Sequence, residues 1–263
     1  LFITQFSMGV QGAAVATVIA QGVSALLCFI YIYIKAPLVI PRKEHFQIDV
    51  ELYKELLGQG FSMGFMLCIV SIGTVILQTA INDLGYLTIA GHTAARKLNS
   101  FCAMPATSLA MALSTFVSQN KGADQRERII QGVKYGNLIS CVSGVIITIV
   151  LFFVAPFLVR VVSGSTNETV ISNASMYLRI NAPFYAVLGM LLNLRNSLQG
   201  LGQKIVPLIS SVIECIGKIA FVAIFIPVLG YFGVSICEPV IWCLMCFQLA
   251  WSFYHNEYIK NKR

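Results

Sequence analysis

Asn193-Leu-Arg195-Asn-Ser-Leu-Gln-Gly200-Leu-Gly202-Gln-Lys204-Ile-Val-Pro207 leads into Leu208-Ile-Ser-Ser-Val-Ile-Glu214-Cys-Ile-Gly-Lys218. An Arg near the end of one apolar run, a glycine-rich turn, and two opposite charges inside the next run would make no sense on a lipid-facing surface. Ionisable groups within a membrane span cost several kcal/mol near the bilayer centre unless they face a cavity or a partner, so they mark function by default.

The surrounding chain explains why a membrane is the right solvent to consider. Of its 263 residues 57% are hydrophobic and 11% are charged, and mean hydropathy is +0.79, whereas soluble domains carry roughly 25% charged residues. Residues 1–34, 56–82 and 135–159 contain no Asp, Glu, Lys or Arg, and about 20 apolar residues suffice to span a bilayer as a helix. The runs predict seven spans: Gly12 to Ile34, Gly58 to Asn82, Thr88 to Asn120, Lys134 to Val162, Met176 to Leu201, Ile205 to Leu229 and Tyr231 to Tyr254. Backbone groups in lipid must be satisfied within the segment, and the runs are too long and too apolar on all sides for barrel strands, so the predicted fold is an all-α membrane protein.

Basic residues set the expected orientation. Lys35, Arg42, Lys43, Lys54, Lys121, Arg126, Arg128, Lys134, Lys204, Lys260, Lys262 and Arg263 all fall in alternate connections. The opposite connections carry none, with only Arg160 and Arg179 at their margins. By the positive-inside rule the basic connections and the C-terminus are cytoplasmic. The net charge of +7 is therefore a topology signal, and no nucleic-acid partner is expected. The chain opens on Leu1-Phe2-Ile3 without Met, a basic n-region or a cleavage site, and reads as the tail of a longer protein. Its eight Cys lie mostly within spans, where Cys behaves as a small hydrophobe, and Cys243-x-x-Cys246 lacks a second pair. No metal and no cofactor are expected.

Gly9-Val-Gln-Gly12 enters the first span and Gly230-Tyr-Phe-Gly233 enters the last. Six spans separate the two exits, an even number, as in parallel repeats. Between the halves Lys35 to Glu55, with Pro37 and Pro41, reads as a linker, and Asp49-Val-Glu-Leu-Tyr-Lys-Glu-Leu-Leu57 as a short interfacial helix or a solvated loop.

Taken in order, Gly9-Val-x-Gly12-Ala-Ala-x-Ala-Thr, Ala94-Ala-Arg-Lys97 with Pro105, Val117-Ser-Gln-Asn120-x-Gly122-Ala123, Arg195-Asn-Ser-Leu-Gln-Gly200-Leu-Gly202, and Glu214 with Glu238-Pro239 resemble the multidrug and toxic compound extrusion (MATE) transporters. The resemblance implies a two-lobed, twelve-helix exporter of small organic cations in the plasma membrane, driven by Na⁺ or H⁺. This chain would supply the last helix of the N-terminal lobe (residues 1–35), an interlobe linker (36–55), the six-helix C-terminal lobe (56–256) and a basic cytoplasmic tail (257–263). The N-terminal lobe would be its partner, together with the lipid bilayer. Relatives carry acidic residues in the first helix of this lobe and in the fifth span, but residues 56–82 have none and the fifth span offers Arg195 instead.

Each residue also has its own physical reading. Arg96 and Lys97 lie roughly 15 Å along the third span and need partners in the lobe interior. Glu214 and Lys218 share a helix face in the favourable order, as a structural ion pair or as a carboxylate that exchanges partners. Glu238 stands roughly 10 Å inside the last span with no basic neighbour on its own helix, which makes it the better candidate for a carboxylate that titrates during transport. Asn120 and Gly122 suit a helix C-cap. Pro105 and Pro183 can bend their spans, and the sequons at Asn167 and Asn173 are expected on the outer loop. Two other classes compete: a lipid-linked saccharide flippase with a more cationic cavity, and a seven-helix receptor. No HExxH, GxSxG or phosphate-loop motif supports an enzyme.

Overall fold

The computed structural model describes residues 8–37, 40–42, 46 and 48–260, and every regular element among them is helical. The opening residues Leu1 to Ile3, Lys43 of the linker, and Lys262 and Arg263 of the tail lie outside the described residues. The chain divides into two compact units, Leu1–Tyr53 and Lys54–Arg263. The first contains α1 (Gly9–Lys35), a helix of lipid-compatible composition with Lys35 in its last turn. Its first glycine has φ +54° and Gly230, before the last span, has φ +56°, so the two Gly-x-x-Gly entries share a left-handed first residue that favours glycine.

The second unit runs alternately between two ends. α2 (Val50–Asn82), α3 (Tyr86–Gly122) and α4 (Arg126–Ser163) have 33, 37 and 38 residues, well beyond the roughly 20 needed to cross a bilayer. The surplus lies at the basic end. The expected interfacial helix at Asp49 to Leu57 is not separate: the Asp49 carboxylate accepts from the Glu51 and Leu52 amides at 3.0 and 3.1 Å, an N-cap that starts α2 there and lets it run unbroken into the span.

The fifth span differs from its expectation. α5 (Glu168–Asn181) starts eight residues before Met176 and is joined to α6 (Tyr185–Gly200) by one 3₁₀ turn, Ala182–Phe184, around Pro183. Pro183 cannot donate to the preceding turn, and the Thr148 hydroxyl reaches the Ala182 carbonyl at 2.7 Å. Helix thus begins soon after Gly164, whose φ of +62° ends α4. Asn167 caps α5 by accepting from the Thr169 amide, while Asn173 lies within α5 and its Ser175 is buried, so the second sequon is not on the loop.

α7 (Ile205–Ala220) continues through a π-helical turn, Phe221–Phe225, into α8 (Ile226–Leu229), and α9 (Tyr231–Tyr254) follows Gly230. Six described stretches are long and apolar enough to cross a membrane uninterrupted; the Pro183-broken α5–α6 run is the seventh pass. A four-residue helix, α10 (Glu257–Lys260), ends the described chain with Ile259 buried.

Small residues set the packing. On α4, Gly136, Ser140 and Gly144 share a face. A Cβ at Gly144 would lie 2.5 Å from the Ala186 nitrogen, and one at Gly189 of α6 would lie 2.6 Å from Ser140 Cβ. Lipid competes for apolar surface as well as any side chain does, so close backbone approach, rather than hydrophobicity, holds such helices together. Phe101, Ile146, Phe153, Phe247 and Trp251 point outward.

Candidate functional site

The α6–α7 turn that positions the first charge cluster is a Schellman motif. Gln203 N–H donates to the Leu198 carbonyl and Gly202 N–H to Gln199, at 2.9 and 2.8 Å, with Gly202 at φ +76°. The end of α3 repeats this geometry, but its left-handed residue is Asp124 at φ +51°, not the expected Asn120 or Gly122. Gln125 N–H donates to Asn120 and Asp124 N–H to Lys121. The two turns are tied together: Lys121 Nζ donates to the Leu201 carbonyl at 2.8 Å, and from α2 Gln59 Nε2 donates to Gly202 and Ser62 Oγ to Lys204.

Glu214 lies two turns into α7, between two cations. Lys218 Nζ is 2.8 Å from Glu214 Oε1 and Arg195 Nη2 is 3.9 Å from Oε2, the latter a charge contact too long for a hydrogen bond. Lys218 also donates to Thr74 Oγ1 of α2 at 3.1 Å. That reach depends on Gly73, where a Cβ would lie 3.2 Å from the Cys215 Cα and from Lys218 Cδ. Arg195 donates to Ser210 Oγ through Nε and Nη2, and the Ser210 hydroxyl donates in turn to the Pro207 carbonyl. One carboxylate and two cations, all largely buried, join α2, α6 and α7.

Glu238 lies two turns into α9 and is 8% exposed. Its lack of a basic neighbour on α9 is made good from α3: Arg96 Nη1 is 3.1 Å from Oε1. The Tyr177 hydroxyl of α5 donates to Oε2 at 2.6 Å. Tyr177 is fully buried, whereas the Arg96 side chain is 39% exposed and that of Glu238 10%, so the cation is the more accessible member of the pair. His92, one turn before Arg96, packs edge-on against Tyr177 and Tyr231 and places Nδ1 3.2 Å from the Tyr231 oxygen.

Lys97 corrects the expectation of an inward-facing, partnered residue. It is exposed, and no hydrogen bond or ion pair holds it among the described residues. The next position of a helix points about 100° away from its neighbour, so Arg96 turns to α9 while Lys97 turns out, beside an apolar recess of about 490 Å³ that Phe101, Cys102, Ile146 and Leu151 also line. The structure thus brings together Arg96 with Glu238, and Glu214 with Lys218 and Arg195, and leaves Lys97 alone. Sequence reasoning missed Thr74, Ser210, Tyr177, Tyr231 and His92. For His92 a signal existed: it stands four residues before Arg96 in an apolar run, hence on the same face. Among the described residues no three His, Cys, Asp or Glu side chains gather as metal ligands. What the arrangement can do is exchange charge: each buried carboxylate is neutralised by a cation that a proton, an ion or a cationic solute could displace.

The chain resembles known transporters along most of its length. The MatE family model matches residues 63–224. "Probable multidrug resistance protein YpnP" of Bacillus subtilis (strain 168) is 24% identical over 239 residues, covering 90% of this chain and 52% of the relative. "Probable multidrug resistance protein NorM" of Thermotoga maritima is 26% identical over 215 residues, 79% of this chain and 44% of the relative. The chain spans about half the length of these relatives. A solved outward-facing multidrug resistance MATE family transporter of the MOP superfamily superposes with TM-score 0.85 at 19% identity, over 99% of this chain and 59% of that one. A Pyrococcus furiosus MOP superfamily transporter, described by the reverse polarity of its binding pocket, gives 0.83 at 19%, with the same coverage. These likenesses show the shared fold, and the family match covers more than half of the chain. The chain belongs to the MatE family of multi-pass membrane transporters.

Proposed function

We propose that this chain forms one lobe of an alternating-access antiporter that exports small organic compounds, organic cations among them, across the plasma membrane in exchange for Na⁺ or H⁺. Its second unit acts as the C-terminal lobe, the basic end and C-terminus face the cytoplasm, and α1 belongs to the other lobe. One observation carries the reading: the buried Glu238 carboxylate is balanced by a half-exposed Arg96 from another helix. A charge at that depth is tolerated only with such a partner. When a proton or Na⁺ neutralises Glu238, Arg96 loses its reason to stay and α3 is released from α9. A cationic solute competes for the same carboxylate, and that competition links the two binding events. Glu214, held by two cations, serves mainly to join helices.

The test uses liposomes that hold this chain together with the complementary lobe, with ethidium efflux driven by an imposed H⁺ or Na⁺ gradient. Glu238→Gln keeps the shape and the Tyr177 contact, and efflux should lose its dependence on the gradient. Gradient-driven efflux at the wild-type rate by the folded variant would rule out a coupling role for Glu238.

One observation favours a second reading, an anionic substrate such as a lipid-linked saccharide phosphate. Both buried carboxylates already have cations, and of the charged candidates within the described spans it is the exposed Lys97 ammonium that has no partner. Lys97→Glu separates the two readings. It should raise ethidium efflux if the substrate is cationic, and abolish transport if the substrate carries phosphate.

A further inference from the structure

Pro239 follows Glu238 inside α9. It brings no backbone N–H, so the carbonyl of Ser235, four residues earlier, loses its helical donor. A free carbonyl within a membrane span needs another donor. It finds one on α5: Asn181 Nδ2 donates to the Ser235 carbonyl at 3.1 Å and to the Tyr177 carbonyl of its own helix at 2.8 Å. Asn181 and Ser235 are both 0% exposed. The same helix serves the proline inside α4. Pro156 leaves the Phe152 carbonyl without its helical donor, and Arg179 Nε reaches it at 3.1 Å. Positions 179 and 181 lie about 200° apart around α5, so one turn of this helix meets two interrupted helices on opposite sides.

Two features set the Asn181 contact apart from plain packing. The first is the orientation of the amide, which is fixed because turning it over would set Oδ1 against two carbonyl oxygens. In that orientation Oδ1 is buried with no donor among the described residues. A buried unpaired acceptor is unfavourable; an apolar side chain would avoid it but would leave the Ser235 carbonyl open. The second is location. Ser235 stands three residues before Glu238, and Tyr177 is the residue whose hydroxyl donates to Glu238 at 2.6 Å. Asn181 thus joins the turn of α9 that carries the carboxylate to the turn of α5 that carries its donor.

We propose that Asn181 is a positioning residue for Glu238: it holds the Pro239 break of α9 against α5, so that the carboxylate keeps its place while its charge changes. The inference rests on the reading of Glu238 as the coupling carboxylate and adds the residue that places it. An amide and a carbonyl carry no net charge, so their bond is indifferent to the ionisation of Glu238. The tie from α3 is of the other kind, since Arg96 meets Glu238 as a counter-charge. Neutralising Glu238 therefore frees α3 while α9 stays on α5, and the carboxylate is in position when Arg96 returns.

The same liposomes, holding both lobes, test this by comparing ethidium efflux driven by an imposed gradient with ethidium exchange when no gradient is imposed. Asn181→Leu keeps the size and removes the donor. The ratio of driven to undriven flux should fall by about tenfold, as for one buried hydrogen bond lost where position matters. A role in folding alone would lower both fluxes together and leave their ratio as it was. Adding Pro239→Ala gives the Ser235 carbonyl a backbone donor again, and the double variant should regain most of the lost ratio. If the leucine variant does not fold, Asn181→Thr makes the same comparison. Its single hydroxyl proton can reach the Tyr177 carbonyl one turn back but not Ser235 as well, and the same fall and rescue are expected. An unaltered ratio in whichever variant folds, or a fall that Pro239→Ala does not reverse, overturns the proposal. Retained gradient dependence in Glu238→Gln defeats the underlying reading instead, whatever Asn181 does.

Discussion

Glu214 and Glu238 differ in how their cations are held, and that difference predicts different outcomes for the same substitution. Lys218 is 4% exposed and fixed between Glu214 and Thr74. Glu214→Gln strands it in a dry interior, and losing one member of a buried pair typically costs about 3 to 5 kcal/mol. Thermal unfolding of the purified variant should show a marked drop, and replacing Lys218 by Met in the same protein should recover much of it. Stability near wild type in the single variant would show the pair to be dispensable. Glu238→Gln should unfold close to the wild-type temperature, because the half-exposed Arg96 can turn to water. The first pair was legible in the sequence: four residues on one helix define a contact without knowledge of the fold. The second was not, since Arg96 and Glu238 are 142 residues apart and nothing local in either span announces the other. His92 was legible only as a residue on the Arg96 face, one turn before it; its partners Tyr177 and Tyr231 lie on other helices and nothing local announces them.

Helix ends were read less well than helix existence, for a physical reason visible at three places. Apolarity marks where lipid is, but α2, α3 and α4 continue past it into water, where Asp49 rather than hydropathy decides the start of α2. Pro183 was expected to disturb its span, and it does, through a single 3₁₀ turn that leaves the pass continuous. At the end of α3 the sequence offered Asn120 and Gly122, yet Asp124 takes the left-handed position, where its carboxylate accepts from the Tyr258 hydroxyl at 3.1 Å. At the matching α6–α7 turn glycine does hold that position. Gly202→Ala would find room, since its Cβ meets nothing nearer than Lys121 Nζ at 3.5 Å, so the cost is backbone strain alone, about 1 to 2 kcal/mol. A melting temperature lowered by a few degrees checks this; no change would mean the turn had rearranged. Gly189→Ala has a different origin, a Cβ pressed to 2.6 Å from Ser140 Cβ, and should cost about 1 to 3 kcal/mol by overpacking α4 against α6.

At the scale of the molecule, charge and symmetry set the expectations. The described connections at 83–85, 164–167 and 230 carry one acidic residue and no basic ones, the charge pattern of the outer face that we propose for them. Cysteines introduced at Asp83 and Ser163, in a protein whose reactive native cysteines have been replaced, should react with an impermeant reagent added to intact cells. Protection at both would reverse the orientation. The two Gly-x-x-Gly entries, with first glycines at φ +54° and +56°, are compatible with the proposed parallel repeats, in which α1 would end one lobe and α9 the other. A substrate path between two lobes needs both. The most direct measurement is therefore efflux of ethidium from cells that express this chain by itself and from cells that express it with the complementary lobe. The account predicts no efflux from the first and restored, gradient-dependent efflux from the second; efflux by this chain alone would contradict it.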